Sequence, residues 1–156
     1  MNRQSRRAEK ARLRKSKGAR TSIIQATQQA MKLHQAGRLK EAEKLYRRII
    51  EVSPKHADAL NYFGILLHQT KRSDEAIDVL QRSVSASPDY ADAYNNLGLV
   101  YKELNRFDEA AEAFDTCLNI RPDHANALNN YGTVFRAQEK YEKAIEYYNQ
   151  IGRAHV

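Results

Sequence analysis

The strongest constraint on this chain is a period of 34 residues. Pro54, Pro88 and Pro122 recur at that interval, as do Gly64, Gly98 and Gly132, and as do Ala42, Ala76, Ala110 and Ala144. Bulky apolar residues keep the same phase: Leu60, Tyr94 and Leu128; Phe63, Leu97 and Tyr131; Leu67, Tyr101 and Phe135; and Tyr46, Leu80, Phe114 and Tyr148. When small, bulky and helix-breaking residues all hold one phase, the repeat is a structural unit. Such units bury their apolar faces on one another, and at least about three are needed for stability.

Each unit reads as two helices. In residues 91–124, Tyr94, Leu97, Tyr101 and Leu104 are spaced three or four apart and fall on one helical stripe, as do Phe107, Ala110, Phe114 and Leu118. The spacing predicts helices over Ala91 to about Leu104 and Asp108 to about Ile120, with a turn at Asn105-Arg106. The prolines lack a backbone donor and push the preceding residue out of the helical region, so they mark the corners between units. Asp89 and Asp123 are expected to cap the first helices that follow them, and Ser73, Asp74 and Asp108 to cap or electrostatically favour second helices. Glycine inside a helix costs about 1 kcal/mol relative to alanine, so its regular return calls for close contact. Gly98 and its equivalents are therefore expected where first helix crosses second, backbone near backbone, with Ala110 and its equivalents as a further small surface.

These residues resemble the tetratricopeptide repeat: a large residue, then Leu-Gly, an aromatic, an Ala followed four later by an aromatic, and a closing Pro. The third unit carries it best, as Tyr94, Leu97-Gly98, Tyr101, Ala110, Phe114 and Pro122. The resemblance covers Ile23 to about Gln150, within a domain 21–150 divided into units 23–56, 57–90, 91–124 and an incomplete 125–150. It implies an all-α solenoid of stacked antiparallel hairpins, wound as a right-handed superhelix, that binds a protein or peptide in its concave groove. The first unit departs most, with Ala26, Gln29 and Ala30 where the others have Leu or Tyr, a large apolar residue and Gly. That departure suits an end repeat whose outer face meets water.

Charge separates the chain into parts. Residues 1–20 hold nine basic residues, from Arg3 to Arg20, and one acidic residue, Glu9, for a net +8; the remainder holds 17 basic and 18 acidic residues, for −1. The result is a near-neutral domain carrying a flexible basic arm, which argues against nucleic-acid binding by the whole chain. Nucleic acid or an anionic surface is expected only at that arm, which has no aromatic residue for stacking on bases. A solvated tail and a targeting signal are the other readings of it. No apolar run is long enough to span a membrane, and the N-terminal segment lacks the apolar centre of a secretory signal, so a cytoplasmic location is expected. Residues 151–156, Ile-Gly-Arg-Ala-His-Val, are what a common sequencing adapter would encode. They are read as a non-native tail.

No catalytic constellation is present: there is no phosphate-binding glycine loop, no nucleophile motif and no paired histidine spacing for zinc. A non-enzyme without cofactor or metal is expected. Cys117 reads as a small buried apolar side chain. His56 with His124, and His34 with His68, share phases, which points to shared structure and not to metal ligation.

The candidate site is a set of asparagines. Asn61, Asn95 and Asn129 recur at 34, with Asn96 and Asn130 beside two of them. By the resemblance this face of the first helices lines the groove, where amides can hold a peptide backbone. The alternative is that they bridge adjacent helices. His34, His68, Lys102 and Arg136 form a second stripe, with Lys102 and Arg136 the cations for an acidic partner if it shares the groove and a solvated edge if it does not. The carboxylate clamp known in the family wants Lys and Asn where Thr27 and Met31 stand. The Asn-Asn-Leu-Gly string at 95–98 and Asn-Asn-Tyr-Gly at 129–132 are also similar to the repeat arm of O-linked N-acetylglucosamine transferases, with Asn96 and Asn130 matching its ladder and Gln28 and Tyr62 not. That resemblance implies an alternative, a substrate-recruiting arm of a longer glycosyltransferase whose catalytic part lies elsewhere.

Overall fold

The helical stripes become helices, in pairs. The computed structural model describes the backbone of residues 3–154 and the side chains of residues 18, 20–140 and 142–149. The order is α1 (Arg3–Gln35), α2 (Leu39–Val52), α3 (Ala57–Gln69), α4 (Ser73–Ala86), α5 (Ala91–Glu103), α6 (Phe107–Ile120), α7 (Ala125–Ala137) and α8 (Tyr141–Ala154). The chain divides into two compact units, residues 1–54 and 55–156. The fold is all-α, built of antiparallel hairpins.

In the first unit α1 packs on α2. Ala30, Ala42 and Tyr46 are fully buried between them, and the Thr27 hydroxyl donates to the Ile23 carbonyl. The basic segment expected as an arm enters the structure as the N-terminal part of α1. Its side chains before Gly18 lie outside the described residues, and so do those of 151–156.

In the second unit three hairpins, α3–α4, α5–α6 and α7–α8, stack in sequence, with α4 against α5 and α6 against α7. Leu60, Leu67, Leu80, Ala110, Phe114 and Cys117 are fully buried. Leu104 ends its stripe 39 % exposed. The periodic glycines lie against their own second helices, but the contact is not backbone to backbone as the sequence suggested. A Cβ on Gly98 would sit 2.7 Å from Phe114 Cε1; on Gly64, 2.5 Å from Leu80 Cγ; on Gly132, 2.8 Å from Tyr148 Cε1. Each glycine makes room for the bulky residue 16 positions on, which caps the hairpin's interior.

The turns repeat too. Gly37, Lys71, Asn105 and Glu139 share one phase, and all four have positive φ, from 58° to 73°. This left-handed residue ends the first helix, and the next N–H reaches back to it: Arg38 to Leu33, Arg72 to Leu67, Arg106 to Tyr101 and Lys140 to Phe135. The residue after it then braces the second helix, as Arg38 pairs with Glu41, Arg72 with Glu75 and Arg106 with Glu109. Ser73, Asp74 and Asp108 lie in first turns, where carboxylates favour the helix dipole, and the N-cap residues Arg72 and Arg106 make no side-chain cap. Asp89 and Asp123 are not the caps expected of them. The residue one further on, Tyr90 or His124, holds the N-cap position.

Two stability predictions follow from this packing. Gly98→Ala drives a methyl into the Phe114 ring and should lower stability by about 1–3 kcal/mol, the usual cost of overpacking a full core, whereas Arg106→Ala, on the exposed turn, should shift the melting midpoint far less. Glu139→Gly relieves a left-handed conformation that costs a non-glycine residue about 1 kcal/mol, and should raise Tm by about 2–4 °C. Thermal denaturation followed by circular dichroism checks both.

Candidate functional site

The asparagines meet across the first helices. Asn96 Nδ2 on α5 donates to Asn61 Oδ1 on α3 at 2.9 Å, and one unit later Asn130 Nδ2 on α7 donates to Asn95 Oδ1 on α5 at 3.4 Å. Asn95 Nδ2 reaches Asn96 Oδ1 at 3.4 Å and joins the two links. At one end Asn61 Nδ2 donates to Tyr90 Oη at 3.3 Å; at the other Lys102 Nζ donates to Asn130 Oδ1 at 2.8 Å. A continuous polar line therefore runs from the corner before α5 to Lys102 and ties α3, α5 and α7 side by side. The bond pattern is offset from the sequence period: the second Asn of one unit donates to the first Asn of the unit before.

Burial follows from that pattern. Asn61 and Asn95 are 2 % and 8 % exposed, Asn96 and Asn130 are half-buried, and Asn129, with no following unit among the described residues to donate to it, is exposed. Each amide has two donor hydrogens and two acceptor lone pairs, so a residue such as Asn96, which uses one of each, retains hydrogen-bonding capacity. Two of the links are at 3.4 Å, long and weak for hydrogen bonds. The sequence left two roles open for these residues, and of these helix bridging is present.

The basic stripe is divided. Lys102 is half-buried, and burial holds its ammonium below the usual lysine pKa, partly offset by Glu103. Arg136 is exposed on α7. His68 Nε2 on α3 lies 3.3 Å from Glu103 Oε1 on α5, and its Nδ1 is buried without a partner among the described residues. His34 belongs to the first unit, edge-on to Tyr46.

Three groups at the corners escaped the sequence reading. His56 and His124 cap α3 and α7: their Nδ1 atoms accept from Ala59 N and Ala127 N, both at 3.2 Å. A histidine whose Nδ1 accepts must carry its proton on Nε2 when neutral, and His124 Nε2 lies 2.9 Å from Asp92 Oδ1. Arg121 donates to the same oxygen, so Asp92 of α5 fastens the corner that leads into α7. Burial raises the Asp92 pKa, but the hydrogen bonds from His124 and Arg121 outweigh it and hold the carboxyl below its ordinary value. Tyr90 is held protonated by burial first and by the Asp58 carboxylate second, its pKa pushed well above the tyrosine range. The shared phase of His56 with His124 was the available signal for the caps. Nothing in the spacing marked Asp92 or Tyr90.

Among the described residues no group of three or more His, Cys, Asp and Glu is placed to hold a metal ion. The Cys117 thiol is buried, and burial pushes its pKa to about 11, which leaves it un-ionised at neutral pH. No helix among the described residues is long and apolar enough to cross a membrane.

Two family models, each described as a tetratricopeptide repeat, match the chain, one over residues 27–91 and the other over 89–151. The fold is similar to that of solved structures of MamA. One, a crystal structure of MamA, superposes with a TM-score of 0.80 at 23 % identity, covering 89 % of this chain and 81 % of that one. Another, residues 41 to the end of MamA from Desulfovibrio magneticus RS-1, gives 0.76 at 22 % identity, covering 83 % and 73 %. No curated protein matches the sequence.

Asp92 carries a pH prediction. A carboxyl whose pKa is depressed by folding stabilises the native state above its unfolded pKa, and that stability is lost as pH falls through the lower folded value. Asp92→Asn should therefore be less stable than the natural chain at pH 7, and the two melting curves should converge as pH drops below the ordinary aspartate value of 3.8.

Proposed function

The chain belongs to the tetratricopeptide-repeat family, and from that premise we propose that it is a non-catalytic scaffold whose partner lies along the face formed by α3, α5 and α7. The observation that supports this most directly is the amide line. Three first helices present polar side chains as one connected surface, in which Asn95, Asn96 and Asn130 retain unused hydrogen-bonding capacity. An extended peptide backbone offers an N–H and a C=O at every residue, the complement of such a surface. The long Asn95–Asn96 and Asn130–Asn95 contacts are the ones a guest amide can replace at little cost.

Charge tunes the same wall. Lys102 and Arg136 favour a guest with carboxylates toward the α5 and α7 side, while Asp58 and Asp92 are already engaged at the corners. Partner binding, and not chemistry, is what these groups support: the amides are neutral, the one thiol is buried and un-ionised, and Asp92 serves as a structural clamp. The glycosyltransferase-arm reading rests on the two Asn-Asn strings alone. In this fold those strings have a sufficient role in joining the helices.

Because Asn129 and Arg136 are exposed, they test the groove without disturbing the ladder. Full-length chain carrying Asn129→Ala and Arg136→Glu should keep its melting midpoint and lose at least tenfold in affinity for whichever partner the natural chain captures, measured by titration of the purified pair. Equal affinity for the variant would move the binding surface elsewhere.

A further inference from the structure

The first unit has an apolar cleft of its own. About 300 Å³ in volume, it lies between α1 and α2 and is lined by Ile23, Ala26, Leu45, Ile49 and Val52 together with the polar Ser22 and Arg48. Val52 is 70 % exposed, the most exposed large apolar side chain among the described residues. Ile23, Ala26 and Leu45 beside it are half-buried, so the cleft is a small apolar recess with one side chain open to water.

The period explains the cleft and says what shape fills it. In the second unit the second helix of one hairpin lies behind the first helix of the next, α4 behind α5 and α6 behind α7. Leu128 and Ala113, the equivalents of Ala26 and Leu45, are 1 % and 6 % exposed there. Residues 3–22 do not fold back to take that place behind α1; they continue it as one helix. Ala26, standing where Tyr94 and Leu128 supply bulk, deepens the gap. The natural occupant of such a slot is therefore a helix whose apolar residues recur three and four apart.

Charge selects among helices. No carboxylate lines the cleft, Arg48 is exposed and in no ion pair among the described residues, and residues 1–54 carry fifteen basic and four acidic residues. The chain's own basic N-terminal segment is repelled from such a site. We propose that the α1–α2 cleft docks an amphipathic helix of a partner protein whose apolar stripe is flanked by carboxylates, one of which pairs with Arg48. The cleft is built from residues of the first unit alone and the proposal does not rest on the amide-lined face.

A suitable probe is the α6 sequence itself, which fills the equivalent slot behind α7 and carries Asp108, Glu109, Glu112 and Asp115 without a basic residue. A labelled synthetic peptide of residues 107–120, with Cys117→Ser to prevent oxidation, is titrated with the full-length chain and followed by fluorescence polarisation. Saturable binding is expected, weakened at least fivefold by Arg48→Glu and by Val52→Asp, and unchanged by Asn129→Ala or Arg136→Glu. A companion peptide with the four acidic residues replaced by lysine should bind at least fivefold more weakly. Both cleft residues are exposed, so the variants should retain their helicity; if either fails to fold, methyl NMR of the natural chain supplies the readout, with peptide-induced shifts expected at Ile23, Leu45, Ile49 and Val52. Absence of saturable binding up to about 1 mM, well above the micromolar range of specific recognition, would overturn the proposal. So would equal affinity for the two peptides, or shifts confined to α3, α5 and α7. Self-association of the free chain that Arg48→Glu abolishes would instead assign the cleft to a second copy. Capture of anionic vesicles in place of the peptide would assign it to a membrane surface.

Discussion

A bulky side chain laid over a glycine holds three hairpins of this protein together, α3–α4, α5–α6 and α7–α8. In α5–α6, the Phe114 ring occupies the space that any Cβ on residue 98 would need, and Leu80 and Tyr148 do the same over Gly64 and Gly132. Glycine weakens the helix it sits in, yet the fully buried Phe114 more than offsets this, since burying a large apolar side chain is worth about 1.5–3 kcal/mol. The contact also fixes geometry, because the ring can lie that close at only one height along the first helix. The left-handed residue between the helices and the arginine brace after it then have one arrangement to satisfy, which is why they recur in phase. The first unit shows the contact relaxed: Ala30 stands in the glycine position opposite Tyr46, and both are fully buried.

Hairpins fixed in this way still need a register with one another, and here apolar and polar contacts divide the work. Behind the first helices, α4 and α6 supply the apolar packing, reinforced by the Gln81 amide donating to Tyr101 Oη at 2.9 Å. In front, the amide line joins α3 to α5 and α5 to α7. A buried amide must be satisfied, and a slipped hairpin would leave Asn61 or Asn95 without its partner at a cost of about 1–3 kcal/mol each. The asparagines thus penalise misregistered stacking while presenting a polar face to solvent. Those two roles are compatible because each amide has more hydrogen-bonding sites than its neighbour uses.

Much of this was legible in the chain. Hairpins, their boundaries and the phase of the close contact follow from period and polarity, since burial in a stacked array imposes the same demand on every unit. The partner of each glycine was not legible, because a period gives phase along the chain and not the height at which two helices cross. The left-handed turn residue was legible in part: Gly37 and Asn105 are types that favour it, while Lys71 and Glu139 adopt the same φ under the constraint of the hairpin. Bridging by the asparagines was one of the two roles the sequence left open, but its register was not legible. Their spacing of 34 suggests parallel, independent roles, but the hydrogen bonds run between residues 35 apart, from the second Asn of one unit to the first of the unit before. Capping by His124 was hidden because its Nδ1 does what Asp123 was expected to do one residue earlier.

A repeat also separates what builds the fold from what individualises the protein. Residues that keep phase are used by the stack, as the glycines, Ala110 and the first-phase asparagines are, and they are shared by any array of this design. Residues that break phase are free to answer to a partner. His68, Lys102 and Arg136 share one position with three different chemistries: a histidine beside Glu103, a half-buried lysine bonded to an amide, and an open guanidinium. Ala26 breaks phase in the first unit by removing bulk where Leu60, Tyr94 and Leu128 stand, and beside it Arg48, a cation repeated as Arg82 one unit later, lines the same cleft. Together they leave an apolar cleft with a positive edge, and a local departure of this kind is what distinguishes one unit of a repeat array from the next.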